Sequence, residues 1–149
     1  MNAQSKRAFT LIELLIVITI IGMLSVVTAS SYTSVTRSSR DARRKTDLEQ
    51  LRSALEQYRS NNGTYVTAPA LSVACNVTGG ISDANGSYLS AIPTDPRCNA
   101  NTYYSAVSAN DYTLGAFLEN ANPSTPCAGN PSCGAGVVCN YCLGPYGRK

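Results

Sequence analysis

Lys6-Arg7-Ala8-Phe9-Thr10-Leu11-Ile12-Glu13-Leu14-Leu15 opens the stretch whose reading decides the fold. Between Phe9 and Ala29 the only charged side chain is Glu13. About twenty such residues in a helix cover ~30 Å, the hydrocarbon thickness of a bilayer. No proline interrupts residues 10–61, and the helical pattern continues past the apolar run. Leu48, Leu51, Leu55 and Tyr58 recur at three- and four-residue steps and mark one apolar face. Asp41 with Lys45, Glu49 with Arg52, and Glu56 with Arg59 stand at helix-pairing distances on the polar side. Asn61-Asn62-Gly63 is a stop signal. The expectation is one helix of about fifty residues, ~75 Å long, far more than a membrane requires.

Two ordinary readings of the apolar run leave Glu13 unexplained. A secretory signal peptide would place a small-residue cleavage site at Val27-Thr28-Ala29, but the run is longer than a usual signal core. A plain membrane anchor has no use for a carboxylate at its start. An acidic side chain just inside an apolar segment costs a few kcal/mol unless paired, which makes Glu13 a functional candidate.

The rest of the chain narrows the function by what it lacks. There is no histidine, so the commonest general base and zinc ligand are missing. No nucleophile-elbow motif and no glycine-rich phosphate loop before a helix is present. No enzyme and no cofactor is expected. The net charge of +3 is too small to imply a nucleic-acid partner.

Cys75, Cys98, Cys127, Cys133, Cys139 and Cys142 all follow the apolar run. An even count in a loop-rich segment points to disulfides and an oxidising compartment. Proximity in sequence favours Cys75 with Cys98, leaving the last four to pair among themselves, although six cysteines allow fifteen pairings. Zinc is the rival reading, with Cys139-x-x-Cys142 as half a site. Its other half, Cys127 and Cys133, is too widely spaced for a zinc knuckle.

With these residues in view, the N-terminus resembles the processing site of type IV pilins and type II secretion pseudopilins. The resemblance implies that a membrane peptidase cuts between Ala8 and Phe9 and methylates the new amine of Phe9. The family usually has glycine before the cut; Ala8 keeps that residue small. It also implies that Glu13 is the assembly carboxylate, pairing with the Phe9 amine of a neighbouring subunit in the filament core. Pilins often carry a proline where this chain has Ser30, and local melting between it and a glycine, here Gly22, accompanies assembly. The implied plan is a leader at 1–8, a transmembrane and assembly half of the helix at 9–31, an amphipathic half at 32–61 and a globular head at 62–149. The implied fold is α+β, with the long helix packed on a small antiparallel sheet and a disulfide-stapled C-terminal loop.

Within the head, residues 103–107 and 112–118 read as two strands joined by Ser108-Ala109-Asn110-Asp111. Tyr112, Leu114, Ala116 and Leu118 then share the face toward the helix, and Tyr112-Thr113-Leu114-Gly115 resembles the pseudopilin sheet. A third strand is expected at 137–141, and a helical turn at 87–92 closed by Pro93 and Pro96. Residues 122–136 form a loop that cross-links would hold.

Arg37, Arg40, Arg43, Arg44 and Lys45 outnumber Lys6 and Arg7, which by the positive-inside rule alone would keep the C-terminal side cytoplasmic. The cysteines and the leader motif favour export instead. The basic run reads as a stem whose arginines meet lipid phosphates before assembly and acidic neighbours after it. No aromatics interleave to make it a nucleic-acid platform. The leading expectation is a type IV pilus subunit, held in the cytoplasmic membrane as a precursor and then built into a surface filament. Its partners would be copies of itself, the prepilin peptidase and an assembly platform in the membrane. The alternatives are a major pseudopilin of type II secretion and a DNA-binding pilin. Pseudopilins typically hold calcium in an acidic C-terminal loop; Asp83, Asp95, Asp111 and Glu119 are too scattered here to support one.

Overall fold

The computed structural model describes residues 9–66, 75, 79–121, 126–134 and 136–149, with the side chains of 27–31 also left undescribed. The leader at 1–8, including Ala8, and the Ser30 side chain therefore lie outside the described residues, as does part of the loop at 122–136. The chain divides into a unit of residues 1–36 and a unit of residues 37–149.

One helix, α1 (Leu11–Asn62), contributes to both units. Its start is a capping box: the Glu13 amide donates to Thr10 Oγ1 at 3.3 Å, and the Thr10 amide donates to Glu13 Oε2 at 3.2 Å. Its end is Gly63, whose φ of 78° only glycine adopts freely and whose amide returns to Arg59 O at 2.7 Å.

Six strands follow: β1 (Ile81–Asp83), β2 (Gly86–Leu89), β3 (Tyr104–Val107), β4 (Tyr112–Ala116), β5 (Tyr141–Gly144) and β6 (Gly147–Arg148). β1 and β2 form a hairpin, and the other four an antiparallel sheet in the order β3-β4-β5-β6. The fold is α+β and pilin-like, as the sequence indicates. Three local expectations need correction. Residues 86–89 are a strand and not part of a helical turn. Asp83 Oδ1 accepts from the amides of Asn85 and Gly86 at 2.7 and 3.1 Å, and the two-residue turn at Ala84-Asn85, with Gly86 already paired to Asp83, folds Tyr88 and Leu89 back on β1. The third strand begins at Tyr141, not at 137. Val138 instead bridges to Ser132 inside a small loop, where the Cys133 amide donates to Val137 O and the Cys139 amide to Pro131 O. β4 stops at Ala116, although Leu118 beyond it is still buried.

Within the 37–149 unit the central sheet is covered on both faces. On one side Leu48, Leu51, Ala54 and Leu55 of α1 meet Tyr112, Leu114, Ala116 and Leu143, with Tyr65, Ile81, Ile92 and Tyr103 closing the core. On the other lie the disulfides Cys127–Cys142 and Cys133–Cys139, packed with Tyr104 and Phe117. Gly115 lies between the two layers in sequence and space. A Cβ there would stand 3.0 Å from Cys139 Sγ and 3.2 Å from Cys142 Sγ, so the sulfurs occupy the place of a side chain. Cys75–Cys98 is the third disulfide.

Candidate assembly segment and charge clamp

In the N-terminal unit the large apolar side chains from Phe9 to Val26 are exposed on every side of the helix. A helix that is hydrophobic all round has no solvent-facing side and needs lipid or other helices around it. Its hydroxyls are already satisfied on its own backbone: Thr19 Oγ1 donates to Ile16 O at 2.7 Å and Ser25 Oγ to Ile21 O at 2.8 Å. That is what an apolar environment demands of polar groups. Among the described residues no helix is long and apolar enough to cross a membrane.

Glu13 sits at the exposed start of this surface. Besides the Thr10 amide, its Oε2 accepts from Thr10 Oγ1 at 3.0 Å, so helix capping is a complete local explanation of its present contacts. The Thr-x-x-Glu spacing was visible in the sequence but is overshadowed there by the charge in an apolar run. Gly22 lies within the unbroken helix, and a Cβ there would meet nothing within 4 Å.

In the second unit the basic run reads differently from a lipid-facing stem. The Arg44 side chain is 0% exposed. Its Nε and Nη2 donate to the two carboxylate oxygens of Asp95 at 2.7 and 3.0 Å, and its Nη1 to Asp41 Oδ1 and Glu119 Oε1 at 2.9 and 3.0 Å. Arg40 grips Glu119 through Nε at 2.7 Å and Nη2 at 2.5 Å, and Arg97 lies 3.6 Å from the same carboxylate. Asp41 also accepts from the amides of Glu119 and Asn120 at 2.8 and 2.9 Å, so it does not serve Lys45 as the helix spacing indicated. Three arginines thus meet three carboxylates from two turns of α1, the loop after Ile92 and the segment that follows β4. The acidic neighbours expected on other subunits belong, for Arg40 and Arg44, to this chain itself. Arg37, Arg43 and Lys45 still face solvent; the Arg43 side chain, 64% exposed, lies beside Asp47.

Further along α1, Glu49 pairs with Arg52 at 3.4 Å as expected. Glu56 instead accepts from the phenols of Tyr65 and Tyr112 at 3.0 and 2.8 Å, while Arg59 donates to the Tyr65 oxygen at 2.8 Å. Tyr103 donates to Asp47 Oδ2 at 2.6 Å, and its burial, reinforced by that carboxylate, pushes the phenol pKa up. These tyrosines stay neutral and act as donors that close the buried ends of helix carboxylates. The scattered acids are likewise occupied: Asp83 caps its turn, Asp95 and Glu119 hold arginines, and Asp111 holds Lys149 at 2.8 Å.

The clamp has a measurable acid limit. The Arg40 hydrogen bonds, with Arg44 behind them, hold the Glu119 carboxyl down at about 2 from an ordinary 4.5. A carboxyl depressed by folding contributes stability that is complete above its unfolded pKa and lost as pH falls toward the folded one. Unfolding free energy is therefore expected to drop by on the order of 3 kcal/mol between pH 4.5 and 2 on account of this group. Urea titrations of wild type and Glu119→Gln across that window check it: the variant should show the flatter pH profile.

The family model for the prokaryotic N-terminal methylation motif matches residues 4–29, and the model for type II secretion system protein G matches residues 31–126. The chain belongs to the type IV pilin and pseudopilin family. Members are structural subunits, and membership implies a membrane-anchored precursor, processing by a prepilin peptidase and assembly into a filament. The matched region of this pilin-family chain ends at Pro126, so Cys127, Cys133, Cys139 and Cys142, with β5 and β6, lie beyond it. No curated protein and no solved structure matches the chain.

Proposed function

We propose that this chain is a subunit of a type IV pilus, cut between Ala8 and Phe9, methylated on Phe9 and polymerised through the apolar half of α1 at residues 9–31. The observation that carries the polymerisation reading is the fully exposed apolar surface from Phe9 to Val26, which nothing in its own unit covers. Export of the head fits three disulfides, which persist in oxidising compartments. In this reading Glu13 leaves its Thr10 cap, or shares it, to neutralise the Phe9 amine of the next subunit. Gly22 is the soft point of the helix. Alanine fits there without a clash and stiffens the helix by about 1 kcal/mol. A Gly22→Ala chain should fold normally and assemble more slowly; assembly at the wild-type rate would remove Gly22 from the account.

The second reading is a pseudopilin of type II secretion, favoured by the match to protein G. What tips the choice toward a pilus is the C-terminal end. Its last four cysteines pair into two disulfides, and Asp83, Asp95, Asp111 and Glu119 each have partners of their own within the fold instead of gathering at one place. Shearing cells and examining the released material by electron microscopy with antibody against the head separates the two. Long labelled surface filaments are expected; label confined to the envelope, with loss of protein secretion on gene deletion, would establish the pseudopilus.

A further inference from the structure

Three Asn-x-Ser/Thr triplets are written beyond the apolar run: Asn62-Gly63-Thr64, Asn76-Val77-Thr78 and Asn85-Gly86-Ser87. Such a triplet is an acceptor for N-linked sugar when it lies on the surface of an exported chain. In a chain rich in asparagine and threonine the spacing alone means little, and the fold has to choose among the three. The acceptor amide must be reachable, and its two hydrogens must be free to leave their partners. Asn62 fails the second condition. It is the last residue of α1, and its Nδ2 donates to Tyr58 O at 3.1 Å and to the Asp83 carboxylate, which uses both amide hydrogens. Asn76-Val77-Thr78 lies outside the described residues.

Asn85 stands in the turn that joins β1 to β2, and Asn85, Gly86 and Ser87 are all exposed. Asp83 builds the turn that presents them. Its Oδ1 holds the main-chain amides of Asn85 and Gly86, and its Oδ2 accepts from the Tyr88 phenol at 2.9 Å as well as from Asn62. One carboxylate therefore occupies the Asn62 amide and fixes the main chain at Asn85. Gly86 has a φ of 147°, and a Cβ added there would meet nothing within 4 Å, so the turn is open beside the acceptor. We infer that Asn85 is a glycosylation site, modified on Nδ2 by a sugar carried on a polyprenyl diphosphate, an inference that rests on export of the head in the filament reading above. In that step the bond from Nδ2 to the anomeric carbon forms, and the bond from that carbon to the phosphate oxygen breaks with its electron pair. The proton lost from the amide goes to the departing diphosphate. The hydroxyl of Ser87, two residues on, is the second element that the transferase reads. The product is a bulky, hydrated group on the tip of the β1–β2 hairpin, which lies in the 37–149 unit and away from the apolar surface of residues 9–26 in sequence.

The test is intact mass, with fragmentation of proteolytic peptides, on the mature chain taken from the membranes or sheared filaments of the cells that make it. The subunit should be heavier than the bare chain by a whole number of sugar residues, all of them on Asn85. Asn85→Gln and Ser87→Ala should each lose that increment completely, whereas Ser87→Thr, which keeps the hydroxyl, and Asn62→Gln should retain it. Asn85→Gln keeps the main-chain amide that closes the turn, so its urea midpoint should match that of wild type, and the loss then reads on the acceptor and not on folding. An exported, disulfide-bonded subunit of bare mass, an increment that survives Asn85→Gln, or sugar on Asn62 with Asn85 unmodified overturns the assignment and leaves the filament reading intact. A chain kept in the cytoplasm with reduced cysteines would remove the export on which both rest.

Discussion

Changing Glu13 to alanine is expected to lower filament yield on the order of a hundredfold, and changing it to glutamine is expected to lower it nearly as far. The pair of variants matters because Glu13 already has a local task. It accepts from the Thr10 amide and hydroxyl at the start of α1, and a glutamine in that position caps a helix equally well. Glutamine therefore keeps the cap and removes the charge. If Glu13 acts by neutralising the Phe9 amine of a neighbour inside an apolar core, its loss strands a buried cation at a cost of about 3–5 kcal/mol per contact. If it acts only as a cap, glutamine restores assembly. Yield of sheared filament, with precursor cleavage monitored alongside, distinguishes the two outcomes.

Replacing Arg44 by methionine is expected to cost the head about 3–5 kcal/mol, the usual penalty for breaking a buried pair from one side. Methionine preserves much of the stem, so the loss falls on the charges. Asp95 would lose both guanidinium contacts, and Asp41 and Glu119 one each. A small domain has only about 5–15 kcal/mol to lose. Arg43, one residue away and mostly exposed at 3.9 Å from Asp47, is the matched control, and Arg43→Met should stay within about 0.5 kcal/mol of wild type. Urea unfolding of the two variants compares them directly. Equal losses would mean that the clamp contributes nothing beyond an ordinary surface arginine.

How legible these features are in the sequence follows from the range of the interactions behind them. The helix is written locally, in an absence of proline, an apolar period and Asn61-Asn62-Gly63, and it runs within one residue or so of that expectation. The alternation Tyr112, Leu114, Ala116 declares a half-buried strand, and those residues do face α1. Gly115 within it carries a message that cannot be decoded without the sulfurs of Cys139 and Cys142, which come from more than twenty residues later. Arg44 is the clearest failure of sequence reading. Flanked by Arg40, Arg43 and Lys45 it looks like one cation among several, and only the arrival of Asp95 and Glu119, 51 and 75 residues away, makes it the buried centre of the head. The turn from Asp83 to Gly86, by contrast, is readable from turn chemistry, with Asp at its first position and Gly at its last, and outweighs the helical look of residues 87–92.

The disulfide pattern shows the same division. Cys75 with Cys98 follows from proximity, whereas Cys127–Cys142 enclosing Cys133–Cys139 is one of three arrangements open to the last four cysteines. The nested arrangement brings all four sulfurs against one face of the sheet, where they supply the packing that a short loop-rich segment otherwise lacks.

The central claim is that the apolar N-terminus is a processed assembly element and neither a removed signal peptide nor a plain anchor. Intact-mass measurement of the chain recovered from the membrane or from sheared filaments tests it most directly. The account predicts a chain that begins at Phe9 and carries one added methyl group; a chain that begins at Ser30, or one that keeps its first eight residues, would contradict it.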